Sequence, residues 1–276
     1  MSNEPAHSLH FPMSLFSLPS SVYRAIIRRE VTTTLHNRFV QIFAVIVWSG
    51  SIAVATLSGR PEAVPSGLLL LLLFVVPLFG LLIGVSAAHE EHDERVFLWS
   101  QPVPRAAYVL GKAATLVGAL TLVVLGTLVA AAVGGAAGES LALLGGLGVA
   151  LVLVSVSAGV AVGQYTTGRA RGLMAVLVLW FGAFVLYDAL ALLGSGVETL
   201  QNWPALWVGA LLLNPIDAVR LAGIFGLDNV PFSAPGGAVW LADVLAWLPA
   251  WVALLTLAWT GGLLALACRR ITRLDL

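Results

Sequence analysis

Uninterrupted apolar runs separated by shorter polar intervals set the organisation of this chain. Six runs, over residues 39–57, 68–88, 113–133, 141–162, 173–193 and 247–268, each approach the roughly 20 residues a helix needs to cross a hydrocarbon core about 30 Å thick. Water is absent from that core, so each backbone N–H and C=O must find its partner within the segment, and a helix achieves this. The pattern predicts an all-α polytopic membrane protein with six transmembrane helices. The two long polar intervals are 89–112, between the second and third runs, and 194–246, between the fifth and sixth.

Composition agrees: 59% of the 276 residues are hydrophobic, only 10% are charged, and the mean hydropathy is +0.96. A soluble domain carries roughly a quarter of its residues as charged side chains, so this chain cannot cover a water-facing surface with charge. The formal net charge is zero, which leaves no field to draw nucleic acid to the whole molecule. The distribution of the 14 basic residues is more informative. Arg24, Arg28, Arg29, Arg38, Arg95, Arg105, Lys112, Arg169, Arg171, Arg269, Arg270 and Arg273 fall on one side of the six spans, and only Arg60 and Arg220 on the other. By the positive-inside rule, the termini and the intervals 89–112 and 164–172 are cytoplasmic. Residues 1–37 then read as a cytoplasmic tail and interfacial helix, 38–268 as the membrane domain, and 269–276 as a basic cytoplasmic tail. Ser20 and Ser21 can cap a helix through about residue 35, with Val22, Ile26 and Ile27 segregated from Arg24, Arg28 and Arg29, as in an amphipathic helix lying on the inner interface.

The stretch 203–226 is apolar but broken by Asn214, Pro215, Asp217 and Arg220. A seventh crossing there would carry Arg269, Arg270 and Arg273 outside. The stretch therefore reads as outer structure: an apolar piece to residue 213, then a helix with Asn214 as N-cap, Pro215 in the first turn and Asp217 at N3. These pieces are expected to re-enter the membrane or lie along its outer interface. Trp203, Trp207, Trp240, Trp247 and Trp251 surround them, as indole rings do at the headgroup level.

Candidate chemistry is sparse. The single cysteine, Cys268, excludes an internal disulfide and a CxxC pair. The five histidines, His7, His10, His36, His89 and His92, all fall outside the runs, so an intramembrane protease has no base or zinc ligands. Met1, Met13 and Met174 offer no soft-ligand ladder for copper. His89, Glu90, Glu91, His92, Asp93 and Glu94 could gather a metal but read better as a solvated acidic helix start. Neither a metal nor a cofactor is expected in the chain itself. Asp188 is the one carboxylate well inside a run, about 22 Å along its helix. An intramembrane acid is a functional candidate, although pairing with Arg220 or reaching water near the outer boundary weighs more than a transport role. Gly145, Gly146, Gly148, Gly159 and Gly163 permit close helix approach in and beside the fourth run. Pro77 should loosen the second.

The inner interval from His89 to Lys112 holds an acidic start, then Phe97, Leu98 and Trp99, then Ser100-Gln101-Pro102-Val103-Pro104-Arg105 and Gly111-Lys112. Aromatic side chains on a charged loop suggest a protein docking site. The Gly-Lys pair is no phosphate loop, because Ala106 stands where the first glycine would and Ala113 where Ser or Thr would bind magnesium. With the basic N-terminal helix and six spans, these motifs resemble the permease subunits of ABC-2 type transporters. The resemblance implies a permease without its own catalytic or nucleotide site. It would work as a dimer of two copies in the lipid bilayer, with ATP and Mg held by a separate cytoplasmic ATP-binding subunit. The loop would couple to that subunit through Phe97, Leu98 and Trp99 as apolar anchors and Glu91, Asp93, Glu94, Gln101 and Arg105 around them. The common Gly-Thr after the acidic residue is replaced near Val96 and Phe97. The outer motif Leu213-Asn214-Pro215-Ile216-Asp217-Ala218-Val219-Arg220-Leu221 is similar to the branch of that family serving maturation of nitrous oxide reductase. That likeness implies a periplasmic solenoid partner, met by a surface bearing Asn214, Asp217 and Arg220, and support for assembly of copper centres. The work done is either export of a small species, with sulfur compounds the candidates, or mechanical drive of the outer partner. A secondary transporter driven by an ion gradient, or a plain membrane anchor, are the competing classes.

Overall fold

The computed structural model describes residues 31–34, 36–98, 105–196, 209–227 and 239–273, and the regular elements among them are all helical. In chain order they are α1 (Arg38–Leu57), a 3-10 turn (Pro61–Ala63), α2 (Val64–Leu98), α3 (Arg105–Val133), α4 (Gly138–Tyr165), α5 (Arg169–Phe181), a π-helical turn (Gly182–Leu186), α6 (Tyr187–Ser195), α7 (Pro215–Leu227) and α8 (Val239–Thr272). Six stretches among the described residues are long and apolar enough to span a bilayer: Arg38–Leu57, Pro61–Glu90, Ala106–Val133, Gly138–Tyr165, Arg169–Gly194 and Trp247–Thr272. Each predicted run lies within one of them.

α4 is the hub, packing against α2 most extensively and then against α8, α3 and α7. Lipid tails are as apolar as leucine, so spans gain little from apolar burial alone; they gain from close packing, which small residues permit. A Cβ placed on Gly84 of α2 would lie 2.7 Å from the Val156 carbonyl and 3.0 Å from the Gly159 Cα, and one on Gly159 2.5 Å from the Leu81 carbonyl. Backbone meets backbone at this crossing. Gly148 and Gly163 are equally close-fitted, against Val124 and Ala88. Gly146 differs from expectation: nothing lies within 4 Å of its missing side chain, so it contributes no close approach within the chain. α1 is fixed by the fully buried Phe43, whose ring lies 5.6 Å from that of Phe79, and by the Trp48 indole, which donates to the Val123 carbonyl at 2.9 Å. α2 remains one helix through Pro77.

The inner interval does not fold as the loop expected over 89–112. α2 runs on to Leu98 and α3 begins at Arg105. Between Ala87 and Ser100 there is no Gly or Pro, and Glu and Arg sustain a helix well, so the chain stays helical until Pro102 and Pro104 approach. At 35 residues α2 is about 52 Å long, more than a hydrocarbon core requires. Of the predicted interfacial helix over 20–35 only residues 31–34 are described, and they are helical; the tryptophans at 203 and 207 lie outside the described residues.

Candidate functional site: a re-entrant helix and its ion cluster

α7 is too short to span: 13 residues reach about 20 Å. It enters the bundle instead of lying along it. Near its C-terminal end Gly226 abuts Leu143 and Gly223 abuts Leu69, at the beginnings of α4 and α2. Its N-terminal end, Asn214 and Pro215, lines a cavity together with Pro77, Leu151 and Ser155, two to three turns further along those helices. Ile216, Asp217, Ala218, Val219, Ala222 and Gly223 are buried. Of the two placements considered for this segment, re-entrant or interfacial, the described part, residues 209–227, packs within the bundle as a re-entrant helix does.

The local sequence explains the helix start. Pro215 occupies the first position, where its missing N–H costs nothing, and the Asn214 side-chain oxygen accepts the Ile216 N–H at 3.1 Å. The Asn214 amide has two further partners, donating to the Asp217 carboxylate at 2.6 Å and to the Ala183 carbonyl at 2.8 Å. Ala183 lies in the π-helical turn of the fifth span. Such a turn breaks the regular i to i−4 ladder, and it does so here at a carbonyl that Asn214 takes up.

Asp217 is 2% exposed, so it is not the surface residue expected of an outer docking face, and Asn214 is buried beside it. The reason is the ion cluster. One turn on, Arg220 donates to the Asp217 carboxylate, and the same guanidinium grips Asp188 of α6 with both fork nitrogens at 2.5 Å. Two carboxylates from different elements share one guanidinium, whose planar fork suits bidentate pairing. The cluster thus ties the re-entrant helix to the end of the fifth span. Asn214, Asp217, Arg220 and Asp188 come together, and only Arg220 and Asp188 keep partial exposure, 26% and 35%.

Ring donors complete the arrangement. The Tyr187 hydroxyl donates to the Ala210 carbonyl, Trp251 Nε1 to Leu212 at 2.9 Å and Trp259 Nε1 to Leu213 at 3.4 Å. In apolar surroundings an unpaired carbonyl costs several kcal/mol, and these side chains satisfy carbonyls of the short segment leading into α7. Sequence reasoning missed Tyr187 and Trp259 and gave Trp251 only an interfacial role, because nothing in a span's composition marks a ring as donor to a carbonyl 23 to 46 residues away. Beside this entry lies a cavity of about 480 Å³ whose walls are almost wholly apolar, interrupted by Ser155, Thr256, Tyr187 and Asn214.

At the opposite end, His89 is buried and held, with Nδ1 2.9 Å from the Val85 carbonyl and Nε2 3.3 Å from Thr166 Oγ1. No group of three metal-ligating side chains occurs among the described residues. Glu91, Asp93, Glu94, Phe97 and Leu98 ride on the helical continuation of α2, with side chains outside the described set. Arg105 opens α3, and Trp99 and Gln101 lie outside the described residues.

The chain matches no family model. It is 33% identical over 273 residues to a relative from Pseudomonas aeruginosa, "Probable ABC transporter permease protein NosY", covering 88% of this chain and 94% of that protein. The chain is an ABC transporter permease of the NosY family. In this permease the motif Asn214-Pro215-Ile216-Asp217 acts as the capped start of a buried helix, and Arg220 joins that helix to the fifth span.

Proposed function

We propose that this permease couples ATP hydrolysis by a separate cytoplasmic ATP-binding subunit, NosF-like, to conformational work on a periplasmic, NosD-like solenoid protein during maturation of the copper sites of nitrous oxide reductase. Two copies form the membrane unit in the inner membrane, with both termini cytoplasmic, as the twelve-to-two distribution of basic residues supports. ATP and Mg sit in the partner subunit. The stroke enters through the helical end of α2 and the start of α3, where Glu91, Asp93, Glu94, Phe97, Leu98, Trp99, Gln101 and Arg105 meet the ATP-binding subunit. It leaves through the outer region.

The observation that carries this reading is the Asp188–Arg220–Asp217 cluster. A re-entrant helix tied by charge to one span and by close side-chain packing to the hub moves with the bundle, so a displacement of the spans reaches the outer side as a rigid shift. Pairing also weighs against a secondary transporter. Both oxygens of Asp188 are engaged by the Arg220 guanidinium, so the one carboxylate well inside a span is committed to a structural pair. The cavity of about 480 Å³ favours a second reading, export of a small species such as a sulfur compound. Its apolar walls suit a neutral solute and provide no ladder for a hydrated ion.

Co-expression with the neighbouring ATP-binding subunit and reconstitution into vesicles distinguishes these readings. ATP-dependent movement of the solenoid partner, read by a distance label, with no loss of a labelled sulfur compound from the ATPase side, is the expected result. ATP-driven loss of that compound favours export, and uptake or efflux driven by a proton gradient without the ATP-binding subunit overturns both.

A further inference from the structure

A second polar feature, separate from the ion cluster, is a cleft of about 410 Å³ lined by Thr33, His36, Asn37, Arg38, Glu90 and Arg169, with the Phe39 ring as its apolar wall. Its position is set by three spans at once. Arg38 is the first residue of the first, Glu90 the last of the second and Arg169 the first of the fifth. The cleft therefore sits where the apolar stretches end, the level at which headgroup phosphates lie.

Its chemistry is cationic. Two guanidiniums and an imidazole face one carboxylate, and among the described residues neither arginine has an ion pair within 4 Å. Arg169 instead rests over Phe39, 6.0 Å from the ring centroid. Asn37 spends its side-chain oxygen on the Phe39 N–H at 2.9 Å, which leaves its amide hydrogens as donors at the rim. Away from the cleft, α1 and α5 expose large apolar side chains, Ile42 and Val45 on one and Met174 and Val178 on the other. A ligand with an anionic head and two acyl chains matches this sequence of surfaces, whereas a free anion uses only the head.

We propose that the cleft binds the phosphate of an anionic phospholipid, with Arg38 and Arg169 as its cationic contacts and the acyl chains on the apolar flanks of α1 and α5. A zwitterionic headgroup would bring its own cation against the two guanidiniums, so an anionic lipid such as phosphatidylglycerol is preferred over phosphatidylcholine.

Native mass spectrometry of the full-length chain in detergent, titrated with phosphatidylglycerol, tests this. The expected result is one saturable adduct whose apparent affinity falls about 30-fold in the Arg38→Gln/Arg169→Gln variant, each charge near a membrane surface being worth about five-fold. Arg273→Gln, an exposed charge outside the cleft, leaves the adduct unchanged. Glu90→Gln removes the opposing carboxylate and strengthens binding about five-fold, a gain that misfolding cannot produce. The proposal is overturned if the double variant binds as the wild type does, if Glu90→Gln gives no gain, or if phosphatidylcholine binds equally well. Competition by inorganic phosphate at concentrations equal to the lipid shows a soluble-anion site and overturns the lipid assignment.

Discussion

Removing Arg220 tests whether the re-entrant helix is held by charge. In Arg220→Ala the Asp217 carboxylate, 2% exposed, keeps only the Asn214 amide at 2.6 Å, and Asp188 loses both of its fork contacts. Stripping one partner from a buried pair costs about 3–5 kcal/mol, because the remaining charge stays desolvated. The guanidinium is 26% exposed and Asp188 35%, so water screens part of the interaction and the lower figure, about 3 kcal/mol, applies. At about 2–4 °C per kcal/mol for a chain of this size, the melting temperature should fall by about 6–12 °C. The assay is a thermal scan of intrinsic tryptophan fluorescence on monodisperse, detergent-solubilised protein. The decisive comparison is Arg220→Ala/Asp217→Asn, in which no buried charge remains: it should recover at least half of the loss. If the single variant melts with the wild type, or if the double variant is no more stable than the single, the stranded carboxylate is not the source of the cost and the cluster does not hold α7.

Gly84→Ala should lose about 1–3 kcal/mol, because the new methyl meets the Val156 carbonyl and the Gly159 Cα, neither of which can turn aside, whereas Gly118→Ala, mid-helix with open space around it, should melt at or a few °C above the wild type. Asn214→Ala removes a helix cap and strips the Ala183 carbonyl of its donor, an expected loss of about 1–2 kcal/mol read in the same scan. Trp99→Ala should leave membrane insertion intact but weaken copurification of the ATP-binding subunit, or uncouple its hydrolysis, since aromatic anchors dominate such interfaces. Full assembly and coupled activity in the Phe97, Leu98 and Trp99 triple alanine variant would reduce that segment to a connector.

The six spans are legible in the linear chain because crossing a bilayer depends on length and polarity, and those are properties of a run of residues, not of its neighbours. The start of α7 is legible for a similar reason, as Asn214 and Pro215 act on amides one or two positions away. What the tertiary structure decided begins where partners are distant in sequence. Asp188 pairing with Arg220 is one of the structural alternatives the chain offers, but only the burial of α7 among α2, α4 and α8 makes Asp217 an interior charge and sets it on the same guanidinium. Gly146 and Gly148 are indistinguishable in sequence, yet one faces open space and the other Val124, because the helix's rotation against its neighbours sets which face is packed. The π-helical turn at Gly182–Leu186 and the ring donors Tyr187, Trp251 and Trp259 answer to carbonyls on other segments, and no local propensity encodes a distant carbonyl's need for a donor. Local rules thus determined which segments are helical and cross, whereas the registry of those helices decided which polar groups meet.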